Sequence, residues 1–151
     1  MYSLIIIPII VGFVTQVIKL ATDGVPKNLN WQHLMSDYGG MPSSHTAYVA
    51  SLATVVALRE GFDSATFAVA LVIMVVVIRD AVGFRREIGK DATLTNKIAK
   101  EVFKNKKDFQ YLHERVGHTP LQVIVGFILG CSFSVFLYAI WIISIAMLKL
   151  T

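Results

Sequence analysis

The sequence predicts an all-α fold, an integral membrane helical bundle of about four transmembrane helices with one amphipathic helix on the membrane surface. Three observations carry that expectation. Of 151 residues, 55% are hydrophobic and the mean hydropathy is +0.63, above what a soluble domain of this size carries. Residues 1–18, 64–78 and 116–148 contain no Asp, Glu, Lys or Arg, and about 20 mostly apolar residues suffice to cross a bilayer. The charge is gathered between those runs, with nine of the 14 Lys and Arg residues in 84–118.

The elements follow in order along a single domain, residues 1–151. A first span is expected over about 4–20; it lacks the basic start and small-residue cleavage site of a signal peptide and reads as a retained helix. A second, over about 44–58, is short because Arg59 and Glu60 close it and Gly61 turns the chain. A third, over about 64–83, passes Arg79 and Asp80, which must then pair or face a polar cavity. The fourth, about 120–148, is expected as one helix of about 45 Å at 1.5 Å per residue, so it tilts or protrudes from a core of about 30 Å. Gly126 and Gly130 form a Gly-x-x-x-Gly pair on it, which lets a second helix approach closely, either within the chain or in a homodimer. Cys131 is the single cysteine and lies inside this apolar run, so it forms no intrachain disulfide and is badly placed to ligate metal.

The basic segment 84–118 holds Arg85, Arg86, Lys90, Lys97, Lys100, Lys104, Lys106, Lys107 and Arg115. The positive-inside rule puts it in the cytoplasm; residues 21–43 then share that side and both termini lie opposite. Leu94, Ile98 and Val102 recur every four residues while Lys97, Lys100 and Lys104 lie away from them, the pattern of an amphipathic helix on the membrane surface. Membrane lipids, anionic ones above all, are its expected partners. Nucleic acid is not, because a juxtamembrane position already accounts for the charge.

Three motifs carry chemistry. Gly39-Gly40-Met41-Pro42-Ser43-Ser44-His45 is a glycine-rich turn into the second span. Free N–H groups at such a helix start bind phosphate, Ser43 and Ser44 can add donors, and His45 can protonate a leaving oxygen. Read alone, it is also an ordinary serine cap beside an interfacial histidine. In Arg79-Asp80-Ala81-Val82-Gly83-Phe84-Arg85-Arg86 a span ends in dense charge. Arg85 and Arg86 match phosphate oxygens in a bidentate way, and Asp80 can orient one of them. Glu114-Arg115-Val116-Gly117-His118-Thr119-Pro120 again sets a histidine just before a span, and a neutral His118 can attack phosphorus to give a phosphohistidine.

These motifs, with Gln16 to Lys19 in the first helix, resemble the divergent branch of the type 2 phosphatidic acid phosphatases, the group related to acid phosphatases and vanadium-dependent haloperoxidases. The resemblance covers nearly the whole chain. It implies packed helices, lipid or isoprenoid phosphate substrates, and a phosphohistidine mechanism that uses no metal or other cofactor. It implies His118 as nucleophile, His45 as general acid, Ser43 and Ser44 in the family's Pro-Ser-Gly-His position, Lys19 as the phosphate-binding lysine, and Arg85, Arg86 or Arg115 as the phosphate-binding arginines.

The chain departs from the superfamily pattern at several points. No Arg-Pro pair follows Lys19, Arg115 stands three residues before His118 rather than six, and Gln122 occupies the place of the Asp that orients the nucleophile. Glu114 or another carboxylate can replace it. Six spans are usual there, against the four expected here. The expected function is therefore a membrane-embedded lipid phosphate or diphosphate phosphohydrolase. The alternatives are a non-catalytic headgroup binder or transporter and a structural membrane protein that keeps a degenerate phosphatase site.

Overall fold

A computed structural model describes residues 2–23, 39–103 and 109–149. The described residues form five helices: α1 (Ser3–Asp23), α2 (Ser44–Glu60), α3 (Ala65–Val82), α4 (Phe84–Val102) and α5 (Pro120–Leu148). Lys104, Lys106 and Lys107 of the basic segment, and residues 24–38 between the first two helices, lie outside the described residues.

Three helical stretches are long and apolar enough to cross a membrane: Ser3–Thr22, Ala65–Val102 and Pro120–Leu148. Their outward faces are a run of large apolar side chains, among them Ile9, Phe13, Val72, Val76, Phe136 and Ile143, as expected where hydrocarbon is the solvent and every backbone group is satisfied within its own helix. The second expected span falls outside this set. α2 has 17 residues and carries Ser44, His45, Thr46, Ser51 and Thr54, which shortens and dilutes its apolar surface. Position explains the composition, because α2 packs against α1, α3 and α5 and forms the centre of the bundle. Its neighbours supply the lipid-facing surface, and its own side chains are small. Ala47, Ala50, Ala53 and Ala57 are buried with Ser51, Val55 and Val56, and small residues let backbones come close where hydrophobicity alone drives no association.

α1 meets this centre with one four-residue stripe, Ser3, Ile7, Val11, Thr15 and Lys19, all buried. α5 meets it through its two glycines. A Cβ on Gly126 would lie 2.4 Å from the Ser43 carbonyl oxygen, and one on Gly130 would lie 2.5 Å from that of Ala47. The Gly-x-x-x-Gly face is thus filled by α2 of the same chain, and it is not the free surface that a homodimer through Gly126 and Gly130 needs. Below it the Ser134 hydroxyl donates to Ser51 at 2.6 Å, a buried α5–α2 link.

The helix ends are set by local chemistry. Ser43 caps α2 and Ser64 caps α3 by accepting from the Thr46 and Phe67 amides. Gly61, at φ +90°, closes α2 in the left-handed region that favours glycine. Thr119 caps α5 in a capping box with Gln122, with Pro120 at the first helical position. The apolar run from Pro120 is one uninterrupted helix of 29 residues. α3 stops at Gly83 and α4 starts at once at Phe84, ten residues before the periodic pattern at Leu94. The inner face of α4 is made of small or polar residues, Gly89, Ala92, Asn96 and Ala99. Phe84, Ile88, Leu94, Ile98 and Val102 are exposed, and on a helical projection Glu87 and Asp91 fall among them, so the apolar stripe is interrupted by acid.

Candidate functional site

The three motifs meet at one end of the bundle, where α1 and α3 finish and α2 and α5 begin. The contacts are largely between backbones. The Gly39 amide donates to the Arg115 carbonyl at 2.9 Å, the Ser43 amide to the Gln122 carbonyl at 3.1 Å and the His118 amide to the Ala81 carbonyl at 3.0 Å. The Thr22 hydroxyl, in the last turn of α1, donates to the Met41 carbonyl. Gly117 is the crossing point. Its φ is +81°, and a Cβ there would lie 2.4 Å from the Arg86 nitrogen, while one on Gly39 would lie 2.1 Å from the Gly117 oxygen. Only glycine combines that torsion with that proximity.

Around this crossing lies a cavity of about 380 Å³ lined by Gly39, Arg86, Gly89, Lys90, Thr93, Glu114, Arg115, Val116, Gly117, His118, Thr119 and Gln122. Of the residues that the sequence singles out, it gathers His118, Arg86, Arg115, Glu114 and Gln122. His118 is buried, while Arg86 and Arg115 are exposed, so the imidazole lies at the protein side of the cavity and the cations at its open side. Lys90, one turn after Arg86 on α4, adds a third cation, its Nζ paired with Glu87 at 2.7 Å. Three cations beside a histidine favour an anionic ligand with several oxygens.

The other expected residues occupy the same end but stand outside the lining. Lys19 is buried on the inner stripe of α1, one turn before the Thr22 contact. Ser43 is fully buried, its hydroxyl 2.9 Å from that of Thr46, so it acts as a helix cap. Ser44 is half-buried at the first position of α2, and His45, beside it, is exposed. Arg85 is held by Asp80, Nε to Oδ2 at 2.5 Å. Asp80 thus orients Arg85, and Arg86 is the arginine that faces the cavity.

Two further expectations are corrected by geometry. Gln122 serves the helix start, since its side-chain oxygen accepts from the Thr119 amide at 2.9 Å and is thereby committed to the first turn of α5. Glu114 is turned to α4, where Asn96 Nδ2 donates to it at 2.8 Å and Thr93 Oγ1 at 3.2 Å. The Asn96 hydrogen bond, helped by Thr93 and by the charges of Lys100 and Lys97, outweighs desolvation and holds the Glu114 carboxyl below its ordinary value. It therefore stands in the cavity wall as a fixed carboxylate.

Sequence reasoning missed Lys90 and Thr93 as lining residues, and it missed Asn96, which is buried and ties α4 to the 109–118 segment. The signal for Asn96 was present: one amide in a row of Gly89, Ala92 and Ala99, on the face away from Leu94 and Ile98. The Thr119-x-x-Gln122 spacing was likewise legible as a capping box.

The chain is thus a helical membrane bundle that gathers a buried histidine and clustered cations at one end. Residues 2–133 match the Divergent PAP2 family, and the chain belongs to that family. It is similar to YuiD of Bacillus subtilis (strain 168), described as an uncharacterized membrane protein, with 41% identity over 128 residues, covering 76% of this chain and 80% of the relative. No solved structure matches.

Proposed function

We propose that this protein is a lipid phosphate or diphosphate phosphohydrolase that works through a phosphohistidine on His118. The observation that carries the reading is the cavity itself, in which a buried histidine and the cations Arg86, Lys90 and Arg115 come together from separate segments in a chain of the divergent PAP2 family.

In this reading a neutral His118 nitrogen attacks phosphorus and forms the N–P bond as the P–O bond to the lipid breaks. His45 gives its proton to the departing oxygen. Water then attacks the phosphohistidine, His45 takes up the water's proton, and orthophosphate leaves. Arg86 and Arg115 neutralise the charge that builds on the phosphoryl oxygens. Lys19, with the Ser44 end of α2, supplies positive field at this end of the bundle, and Arg85, paired with Asp80, stands beside Arg86. No metal or other cofactor enters the scheme. The basic residues of 84–118 put the site on the cytoplasmic face, with α4 along the membrane surface and membrane lipids as its neighbours.

A second reading, a headgroup binder without turnover, is favoured by Gln122, which stands in the place of the orienting Asp and is committed to capping α5. One experiment separates the two. Purified protein is offered phosphatidic acid, phosphatidylglycerol phosphate and isoprenyl diphosphate, as wild type, His45→Ala and His118→Ala, with and without vanadate. Phosphate release by wild type that vanadate blocks and both variants lack supports the hydrolase. Binding without release, retained in His118→Ala, establishes the binder instead.

A further inference from the structure

The residues from 109 to 118 lie outside the helices, yet they bring Glu114, Arg115 and His118 to the cavity. What holds such a segment in place must come from elsewhere in the chain. At its far end the His118 amide is tied to Ala81, and at its middle the Arg115 carbonyl is tied to Gly39. At its near end Phe109 stacks on Phe103 with ring centroids 5.5 Å apart and Lys100 lies over the Tyr111 ring, while the hydrogen bonds to the Leu112 backbone come from one side chain. Asn96 Oδ1 accepts from the Leu112 amide at 2.8 Å, and Asn96 Nδ2 donates both to the Leu112 carbonyl and to Glu114 Oε1, each at 2.8 Å. The amide thus pairs with both backbone groups of one residue, as a neighbouring strand would, and uses its second N–H on a carboxylate. Reversing it would set an NH2 group against the Leu112 N–H and an oxygen against two acceptors, so the surroundings fix its orientation. Asn96 is itself only 3% exposed, on a helix face whose other members are Gly89, Ala92 and Ala99. An amide among such neighbours weakens the helix slightly relative to alanine, and burial without partners would cost more. Its three bonds to the segment are the compensation.

We propose that Asn96 is a positioning residue for the anion site. It fixes Leu112 and Glu114 on α4, and thereby sets Arg115 and His118 at the distance from Arg86 and Lys90 at which one phosphoryl group meets all of them. The effect on turnover rests on the hydrolase reading above, whereas the effect on the segment and on anion binding does not.

The variants are Asn96→Ala and Asn96→Asp. Leu112 is half exposed, so water takes over its backbone groups when Asn96 is removed, and alanine suits α4 well. In Asn96→Ala, hydrogen exchange in the peptide containing Leu112 should speed up about tenfold or more, and vanadate should bind several-fold more weakly to protein with unchanged helical content. Where wild type releases phosphate, kcat should fall about tenfold to a hundredfold, as for a small misplacement of catalytic groups, with a smaller change in KM. In Asn96→Asp the introduced carboxyl faces Glu114 within the field of Lys97 and Lys100. Protonated, it can still donate and accept; ionised, it repels Glu114. Vanadate binding by this variant, relative to wild type, should therefore decline as pH rises through the carboxyl's titration, while the same ratio for Asn96→Ala stays flat.

Unchanged exchange at Leu112, or unchanged vanadate affinity in Asn96→Ala, overturns the proposal. So does a loss of thermal stability in both variants with no pH dependence in Asn96→Asp, which is the behaviour of a merely structural contact. If wild type releases no phosphate from any lipid, the hydrolase reading fails, and the exchange and binding measurements still decide the role of Asn96.

Discussion

Gly126 and Gly12 both sit in helices, and alanine at either gains about 1 kcal/mol of helix propensity. What the Cβ meets differs. At Gly126 it would lie 2.4 Å from the Ser43 carbonyl oxygen, a backbone atom, whereas at Gly12 it would lie 2.9 Å from the edge of the Tyr48 ring. The tyrosine is 42% exposed and can swing outward. The Ser43 carbonyl cannot, because it accepts from the Ala47 amide in the first turn of α2. Ordinary contact begins at 3.4 Å, so α5 and α2 must part by about 1 Å, the difference between 3.4 and 2.4, and lose packing along both helices. Overpacking of this kind costs about 1–3 kcal/mol, and since the propensity gain is common to both variants, their difference isolates it. Gly126→Ala should therefore unfold more readily than Gly12→Ala by a factor of about 5 to 150 in the folding equilibrium. Equilibrium unfolding in mixed detergent micelles measures it. Equal stability of the two variants would refute the view that α2 and α5 touch backbone to backbone at this point.

Other outcomes follow from the same contacts. Asp80→Asn removes the partner of Arg85 in a pair that is 37% and 38% exposed; thermal unfolding should show a loss below about 1 kcal/mol, with any larger effect confined to anion binding. Ser51→Ala should cost about 0.6 kcal/mol, typical of an interhelical hydrogen bond in a membrane protein, because Ser134 still donates to the Gly130 carbonyl at 2.6 Å; denaturant titration checks this. Glu114, held below its ordinary value chiefly by Asn96, stabilises the 109–118 segment fully above the unfolded carboxyl value of about 4.3. That contribution is lost as pH falls through the lower folded value, so the protection of 109–118 against hydrogen exchange, taken relative to the intrinsic rate at each pH, should fall on acidification below about pH 4, and this loss should vanish in Glu114→Gln.

Much of the helical plan was legible because its punctuation is chemical. Charge-free runs, the caps Ser43, Ser64 and Thr119, and glycines at 61 and 83 mark the helix ends almost to the residue. The convergence of the motifs was also within reach, since their helix ends must share one side. Periodicity tells which residues share a face and is silent on what covers that face. The row Gly89, Ala92, Asn96, Ala99 was therefore legible as a face opposite the louder Leu94, Ile98, Val102 pattern, while what Asn96 meets there was not. The close passage of Gly39, Gly117 and Arg86 depends on contacts between residues tens of positions apart, and nothing local records it. Gln122 shows the opposite error: its distance from His118 suggests chemistry, whereas its distance from Thr119 already explains it.

The enclosed position of α2 has a consequence for how the chain is made. α2 emerges after α1 and before α3 and α5, and at 17 residues it reaches only about 26 Å at 1.5 Å per residue, with serines, threonines and a histidine along it. Its best surface for lipid is the one it lacks. The residues that shelter it from α5 begin at Pro120, 60 positions beyond Glu60, so at about 5–20 residues per second the translating ribosome needs several seconds to deliver them. For that interval the insertion machinery holds a helix with an open polar flank. A chain truncated before residue 120 should therefore leave exposed the flank of α2 that α5 covers in the full chain.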